Sequence, residues 1–287
     1  MMKIKIPVTK TCQIDDISIE YLHYPSEGPD LLMLHATGFL PWLWHPIARE
    51  LSEIYNIIVP YYCDHRNAEP NDGGVKWNIV ADDLYKFCVS LNIKDPLAIG
   101  HSMGGTVLVL CSALHDFRPK GLVLIEPIFL PDYIYGIKMT VEQHPLASKS
   151  INRRNEWDNI DEATMYFKNK KLFSRWDSEM LDLYIKYGLC GDESGKLKLS
   201  CHPKKEASHF MGGNAFNPWP LLPKIECPVL VVEGGLSENR TFINYKKATA
   251  LFQNGSYYEM EGAGHLAPME KPIETLELIK KFFSMQM

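Results

Sequence analysis

Short apolar runs alternate with amphipathic stretches over the first third of the chain. Leu31-Leu32-Met33-Leu34, Asn56 to Val59, Leu97-Ala98-Ile99 and Leu122-Val123-Leu124-Ile125 are almost uninterrupted in their apolar character. Runs of that length predict strands covered by helices on both faces. Ile4 to Val8 and Ile17 to Tyr24 predict two further strands, with a turn at Pro25-Ser26-Glu27-Gly28-Pro29. Between the buried runs lie helical patterns. Trp44 to Ile54 is one. Val80, Leu84, Phe87, Cys88 and Leu91 form the apolar stripe of a second, with Asn78 as its expected N-cap, and Thr106 to Leu114 is a third. Strand, helix and strand in succession predict a parallel, doubly wound sheet.

From about Ile128 to Trp219 the strand pattern stops. Asp161 to Leu172 and Asp177 to Tyr187 read as helices, each opened by an Asp that can cap it, and Cys190 to Ser200 reads as a small hairpin or loop. The strand–helix pattern then resumes. Pro228 to Val232 and Ser256 to Met260 predict strands, and Phe242 to Leu251 and Ile273 to Phe283 predict helices. The expected organisation is a core of residues 1–127 and 220–287, interrupted by a helical cap at 128–219.

Composition narrows the classes. With 30 Lys and Arg against 35 Asp and Glu the net charge is −5, and no basic cluster points to nucleic acid. Hydrophobic residues make up 46% and charged residues 23%, enough for a sizeable core and unlike a disordered chain. No run approaches the roughly 20 apolar residues of a membrane span. Met1 to Lys10 has no apolar core of the leader type. The 7 cysteines are irregularly spaced with no Cys-x-x-Cys pair, so no zinc ribbon is expected, and a reducing, cytoplasmic setting is. Arg153-Arg154 reads as a surface pair, with a contact to a carboxylate as the alternative.

The sharpest chemical signal is Gly100-His101-Ser102-Met103-Gly104, between an expected strand and an expected helix. This is G-x-S-x-G in the context it requires. A serine on so tight a turn has strained backbone angles, stands clear of the sheet and faces a helix N-terminus. Ser102 is therefore the expected nucleophile. A serine hydroxyl needs a general base, and the Gly262-Ala263-Gly264-His265 loop near the C-terminus offers His265.

These segments together resemble the α/β-hydrolase superfamily over nearly the whole chain. Leu34-His35-Ala36-Thr37-Gly38-Phe39 is similar to the family's His-Gly loop. Trp77 to Gly105 resembles its approach to the nucleophile, and the His265 loop with Pro268, Glu270 and Pro272 resembles its histidine loop. The resemblance implies a triad in the order Ser, acid, His. It implies an oxyanion hole from the N–H of Met103 and that of Thr37, with Gly38 as the alternative second donor. It gives His35 a structural task. His101 should point away from the nucleophile, and His144, His202 and His209 belong to the insertion.

The acid departs from the common pattern. Where most relatives carry Asp, after the seventh strand, this chain reads Glu233-Gly234-Gly235-Leu236-Ser237-Glu238. Glu126, after the sixth strand, occupies the family's other location and is the expected acid, with Glu238 as the alternative. Serine at 102, rather than Asp, favours acyl chemistry over dehalogenation. The expected activity is hydrolysis of a carboxylic ester with an apolar acyl group or aromatic part, with no metal or other cofactor. Lactonase, thioesterase and carbon–carbon bond hydrolase chemistry use the same machinery, and a small-molecule sensor is the alternative of another class. Nothing in the pattern fixes an oligomeric state.

Overall fold

A computed structural model describes residues 6–193 and 195–285. The sheet has eight strands: β1 Val8–Ile14, β2 Ile17–Tyr24, β3 Asp30–Leu34, β4 Asn56–Pro60, β5 Leu97–His101, β6 Gly121–Ile125, β9 Pro228–Gly234 and β10 Asn254–Met260. A separate hairpin pairs β7 Leu189–Gly191 with β8 Leu197–Leu199. The strand order is β1-β2-β4-β3-β5-β6-β9-β10. Pairing is antiparallel from β1 to β2 and from β2 to β4, and parallel beyond. This is the doubly wound sheet that the apolar runs predict. The opening strand begins at Val8 rather than Ile4, and residues 4 and 5 lie outside the described residues.

The helices are α1 His45–Leu51, α2 Trp77–Ser90, α3 Met103–Leu114, α4 Ala147–Ile151, α5 Ile160–Lys168, α6 Ser178–Tyr187, α7 Pro203–Met211, α8 Tyr245–Leu251, α9 Ala267–Glu270 and α10 Pro272–Ser284. Alternation along the strands sorts the core onto two faces. Leu32, Leu34, Leu122 and Leu124 pack under α2, α3 and α8, and Leu31, Met33, Val123 and Ile125 pack under α1 and α10. Each such side chain stabilises the fold by roughly 1.5–3 kcal/mol when fully buried. Two expected caps are displaced. Lys76, not Asn78, precedes α2, because Trp77 and Asn78 have already entered the helix. Asn159, not Asp161, caps α5, accepting from the Glu162 N–H at 2.9 Å.

Residues 128–219 lie between β6 and β9 and pack on segments that follow the carboxyl ends of β3 and β10. The aromatic-rich stretch forms its own core: Trp157, Phe167, Phe173, Trp176 and Tyr184 pack together and onto Leu40, Leu43, Leu266 and Met269 of the sheet body. The last helix of the segment, α7, is bonded to the loop after β4 instead. Ser208 accepts from the Val75 N–H and donates to Ala68 O, and the Trp77 indole donates to His209 O at 2.8 Å. Cys63 and Cys201 form a disulfide across the same seam, with their Cα atoms 5.7 Å apart. No spacing in the sequence announces that bond, since the two cysteines are 138 residues apart.

Candidate active site

The site is assembled at the carboxyl ends of β5, β6 and β9. Ser102 follows β5 at φ 54° and ψ −118°, in the left-handed half of backbone space. Its N–H donates to Ile125 O at 2.9 Å, which fixes the turn to the neighbouring strand. Glycine is required beside it: a Cβ on Gly100 would come within 2.5 Å of the Gly104 carbonyl. The turn therefore closes only with small residues, and it sets Ser102 at the head of α3, where the helix dipole favours developing negative charge.

His265 comes from the loop after β10. Its Nε2 is 3.1 Å from Ser102 Oγ. Its Nδ1 is 3.1 Å from Glu126 Oε2. The three side chains thus form one continuous chain of hydrogen-bonding distances. Glu126 is fully buried, and like Ser102 it has positive φ, at 49°. Its N–H donates to Val232 O at 2.8 Å, so the residue is locked onto β9. The carboxylate is heavily solvated by protein. Gly234 N–H donates to Oε1 at 2.6 Å, while Ser237 Oγ at 2.7 Å, Tyr245 OH at 3.0 Å and Asn239 Nδ2 at 3.2 Å donate to Oε2. Burial alone pushes its carboxyl upward. The bond to His265, the imidazole charge and the Ser237 and Gly234 donors outweigh it, and the net displacement is downward.

Glu238, the other acid considered from sequence, is exposed on the far side of its short turn and makes no bond to His265. Ser237 turns inward and holds Glu126 instead.

Thr37 is buried, and Met103 opens α3. Among the described residues no acceptor takes the N–H of Thr37, Gly38 or Met103. Gly38 has φ +76° and lies under the Glu206 carboxylate, where a Cβ would come within 2.3 Å of Oε1. His35 has the structural environment expected of it. Its Nδ1–H donates to Ala36 O at 2.8 Å, its Nε2 accepts from the Tyr62 N–H at 3.0 Å, and burial pushes it down to about 4. His101 points away from Ser102, and its Nε2–H donates to the carbonyl of His265 at 2.8 Å. His144 Nδ1 accepts the N–H groups of Leu146 and Ala147 ahead of α4, His202 caps α7, and His209 is buried against Cys63 O.

Several neighbours of the site were not visible in the sequence. Tyr245 and Asn239 carry no local motif, and they meet Glu126 only because β6 and β9 are adjacent. Arg153, read above as half of a surface pair, turns inward to Glu206 at 2.8 Å and Tyr184 OH at 3.2 Å. Only Arg154 behaves as a surface residue, lying over Trp157 and Tyr166. A small pocket of about 10 Å³ beside Gly38, with room for about one water, is lined by Phe39, Leu40, Tyr61, Tyr184 and Leu199 among others. No helix among the described residues is long and apolar enough to cross a membrane, and no metal-type cluster of His, Cys, Asp and Glu occurs among them.

Comparison with known proteins agrees with this architecture. A family model described as the alpha/beta hydrolase family matches residues 31–278. The chain is 24% identical over 241 residues to "Esterase YbfF" of Escherichia coli, covering 83% of this chain and 86% of that one. A shorter match, 37% identical over 86 residues, covers 29% of the chain and 30% of the "Magnesium-chelatase 30 kDa subunit" of Rhodobacter capsulatus. Among solved structures, E-2-(acetamidomethylene)succinate hydrolase superposes with a TM-score of 0.79 at 18% identity, covering 97% of this chain and 99% of that one.

Proposed function

The chain belongs to the alpha/beta hydrolase family, and from that premise we propose that it is a serine hydrolase that cleaves carboxylic esters through an acyl-enzyme. One observation carries the reading: the unbroken relay from Glu126 through His265 to Ser102, with both links at 3.1 Å. The similarity to a protein named as an esterase supports the choice of ester.

In this mechanism Ser102 Oγ attacks the substrate carbonyl while its proton passes to His265 Nε2. The carbonyl oxygen becomes an oxyanion, and the N–H groups of Met103 and Thr37 donate to it. Glu126 stays ionised and stabilises the imidazolium through Nδ1. His265 returns the proton to the departing alkoxide, which leaves as the alcohol. Water then repeats the sequence on the acyl-enzyme: His265 takes its proton, hydroxide adds to the carbonyl, and Ser102 departs with the proton restored. The aromatic residues Phe173, Trp176 and Tyr184, packed on Leu40 and on Leu266 next to His265, support an apolar or aromatic acyl group.

The test is a fluorophosphonate probe with peptide mapping, run beside turnover of a short p-nitrophenyl ester. We expect one label, on Ser102, and many turnovers per chain. Ser102→Ala should lose the label and at least about three powers of ten in kcat while melting like the wild type. A label elsewhere, or an Ala variant with ordinary rates, overturns the reading. A single slow burst without turnover points to a ligand sensor.

A further inference from the structure

Asn239 sits in the short turn Glu238–Thr241 after β9, between the acid and the base. Its Nδ2 is 2.9 Å from His265 Nδ1, 3.2 Å from Glu126 Oε2 and 3.4 Å from Tyr245 OH. The turn is pinned, because Ser237 Oγ accepts the Asn239 N–H at 3.2 Å while donating to Glu126. The amide is therefore held in place from both ends.

The chemistry of that position is constrained. For Nε2 to accept a proton from Ser102, His265 must carry its own proton on Nδ1, and that proton goes to Glu126 Oε2. The Asn239 amide group then cannot donate to Nδ1. It donates to the same carboxylate oxygen, in competition with the imidazole. Each donor on Oε2 disperses carboxylate charge and weakens the attraction that the imidazolium feels.

We propose that Asn239 is a positioning residue of the relay, one that shares Glu126 with His265 and so limits how strongly the acid holds the proton on the base. This rests on the serine-hydrolase reading above and extends it to the regulation of the same base. The other groups facing His265 are few. Glu126 and the Tyr245 hydroxyl lie below it, and neutral His101 holds its carbonyl from β5. Glu270 of α9 accepts the Gly264 N–H at 2.8 Å and is itself paired with Arg175 of the insertion at 2.9 Å. None of these touches the Asn239 side chain except Glu126 and Tyr245, so a change at 239 acts on the relay itself.

The experiment is the pH profile of kcat/KM on one soluble ester for wild type, Asn239→Leu and Asn239→Asp, with melting and fluorophosphonate labelling alongside. Leu removes the competing donor, and Asp adds a carboxylate beside Nδ1. Both raise the proton affinity of His265, so the acidic limb should move to higher pH, by about 0.5–1 for Leu and further for Asp. Labelling of Ser102 at about pH 6 should slow in parallel. A folded variant with reduced kcat but an unmoved acidic limb means that Asn239 is only structural, and a shift to lower pH reverses the sign; either result overturns the proposal. If Asn239→Leu does not fold, Asn239→Ala, which also removes the competing donor without adding charge, decides in its place. Failure of the wild type to label at Ser102 would sink the underlying function instead, which keeps the two failures apart.

Discussion

Glu126 is a buried carboxylate that stays charged because the chain surrounds it with donors. Its lowered pKa has a sign that can be followed. The stabilisation is complete above the ordinary carboxyl range and is lost as pH falls through the depressed value. The same environment makes the residue hard to replace. Glu126→Gln keeps the shape, loses the charge and can present its NH₂ to His265, favouring the wrong tautomer. We expect kcat to fall by roughly ten-thousandfold, whereas Glu238→Gln, altering an exposed side chain, should stay within about twofold. Rates for both variants on one ester, with melting curves, check this; a crippled Glu238→Gln beside a near-normal Glu126→Gln would invert the roles. From sequence, Glu126 and Glu238 were both open, since each follows a strand that ends at the same sheet edge. Backbone geometry separates them. Positive φ at Glu126 turns its side chain under His265, while Ser237 takes the inward position of its own turn.

At the level of elements, strands and helices were legible wherever one periodicity dominated. β3, β5 and β6 are apolar on both sides because α2, α3 and α8 cover one face and α1 and α10 the other. Inside residues 128–219 the pattern was weaker. α4 and α7 escaped it; α7 buries Glu206, Ser208 and His209, polar residues that bond to Arg153 and to the loop after β4, with His209 Nδ1 left without a partner among the described residues. That helix and the loop are also joined by Cys63–Cys201. In the chain-entropy picture a closure of this span contributes up to about 5 kcal/mol. Dithiothreitol should therefore lower the melting temperature of the wild type by several degrees. Cys63→Ser should melt at the reduced value with or without the reductant. Equal melting of oxidised and reduced wild type would show that the noncovalent bonds of α7 suffice.

Over the whole molecule, pH response follows from buried imidazoles. Burial pushes His35 down to about 4 and both His101 and His209 down to about 3, with neighbouring histidines adding to the effect. The folded chain thus binds fewer protons than the unfolded chain below the ordinary histidine value of 6.5. Stability is full above that value and declines as pH falls, by about 1.4 kcal/mol per pH step for each histidine kept neutral. We expect melting temperature to be flat above about pH 7 and to fall steadily from 6.5 towards 4.5, before the carboxylates begin to titrate. His209→Gln should flatten that slope by about one proton. An unchanged slope would mean that His209 protonates freely in the folded state.

The wound sheet, the tight turn carrying Ser102 and the Gly-rich loop carrying His265 are all legible along the chain. Each of these is written in consecutive residues, as a period of apolar positions or as glycines where a side chain would collide. The meetings of distant residues come from folding alone: which acid reaches His265, how Ser237, Asn239 and Tyr245 surround that acid, where Arg153 turns, and which cysteines pair. Those depend on the order of strands in the sheet, which sets β9 beside β6 and brings residues 234–245 onto Glu126. Strand order is fixed by the packing of the entire core, and no local stretch of this chain encodes it.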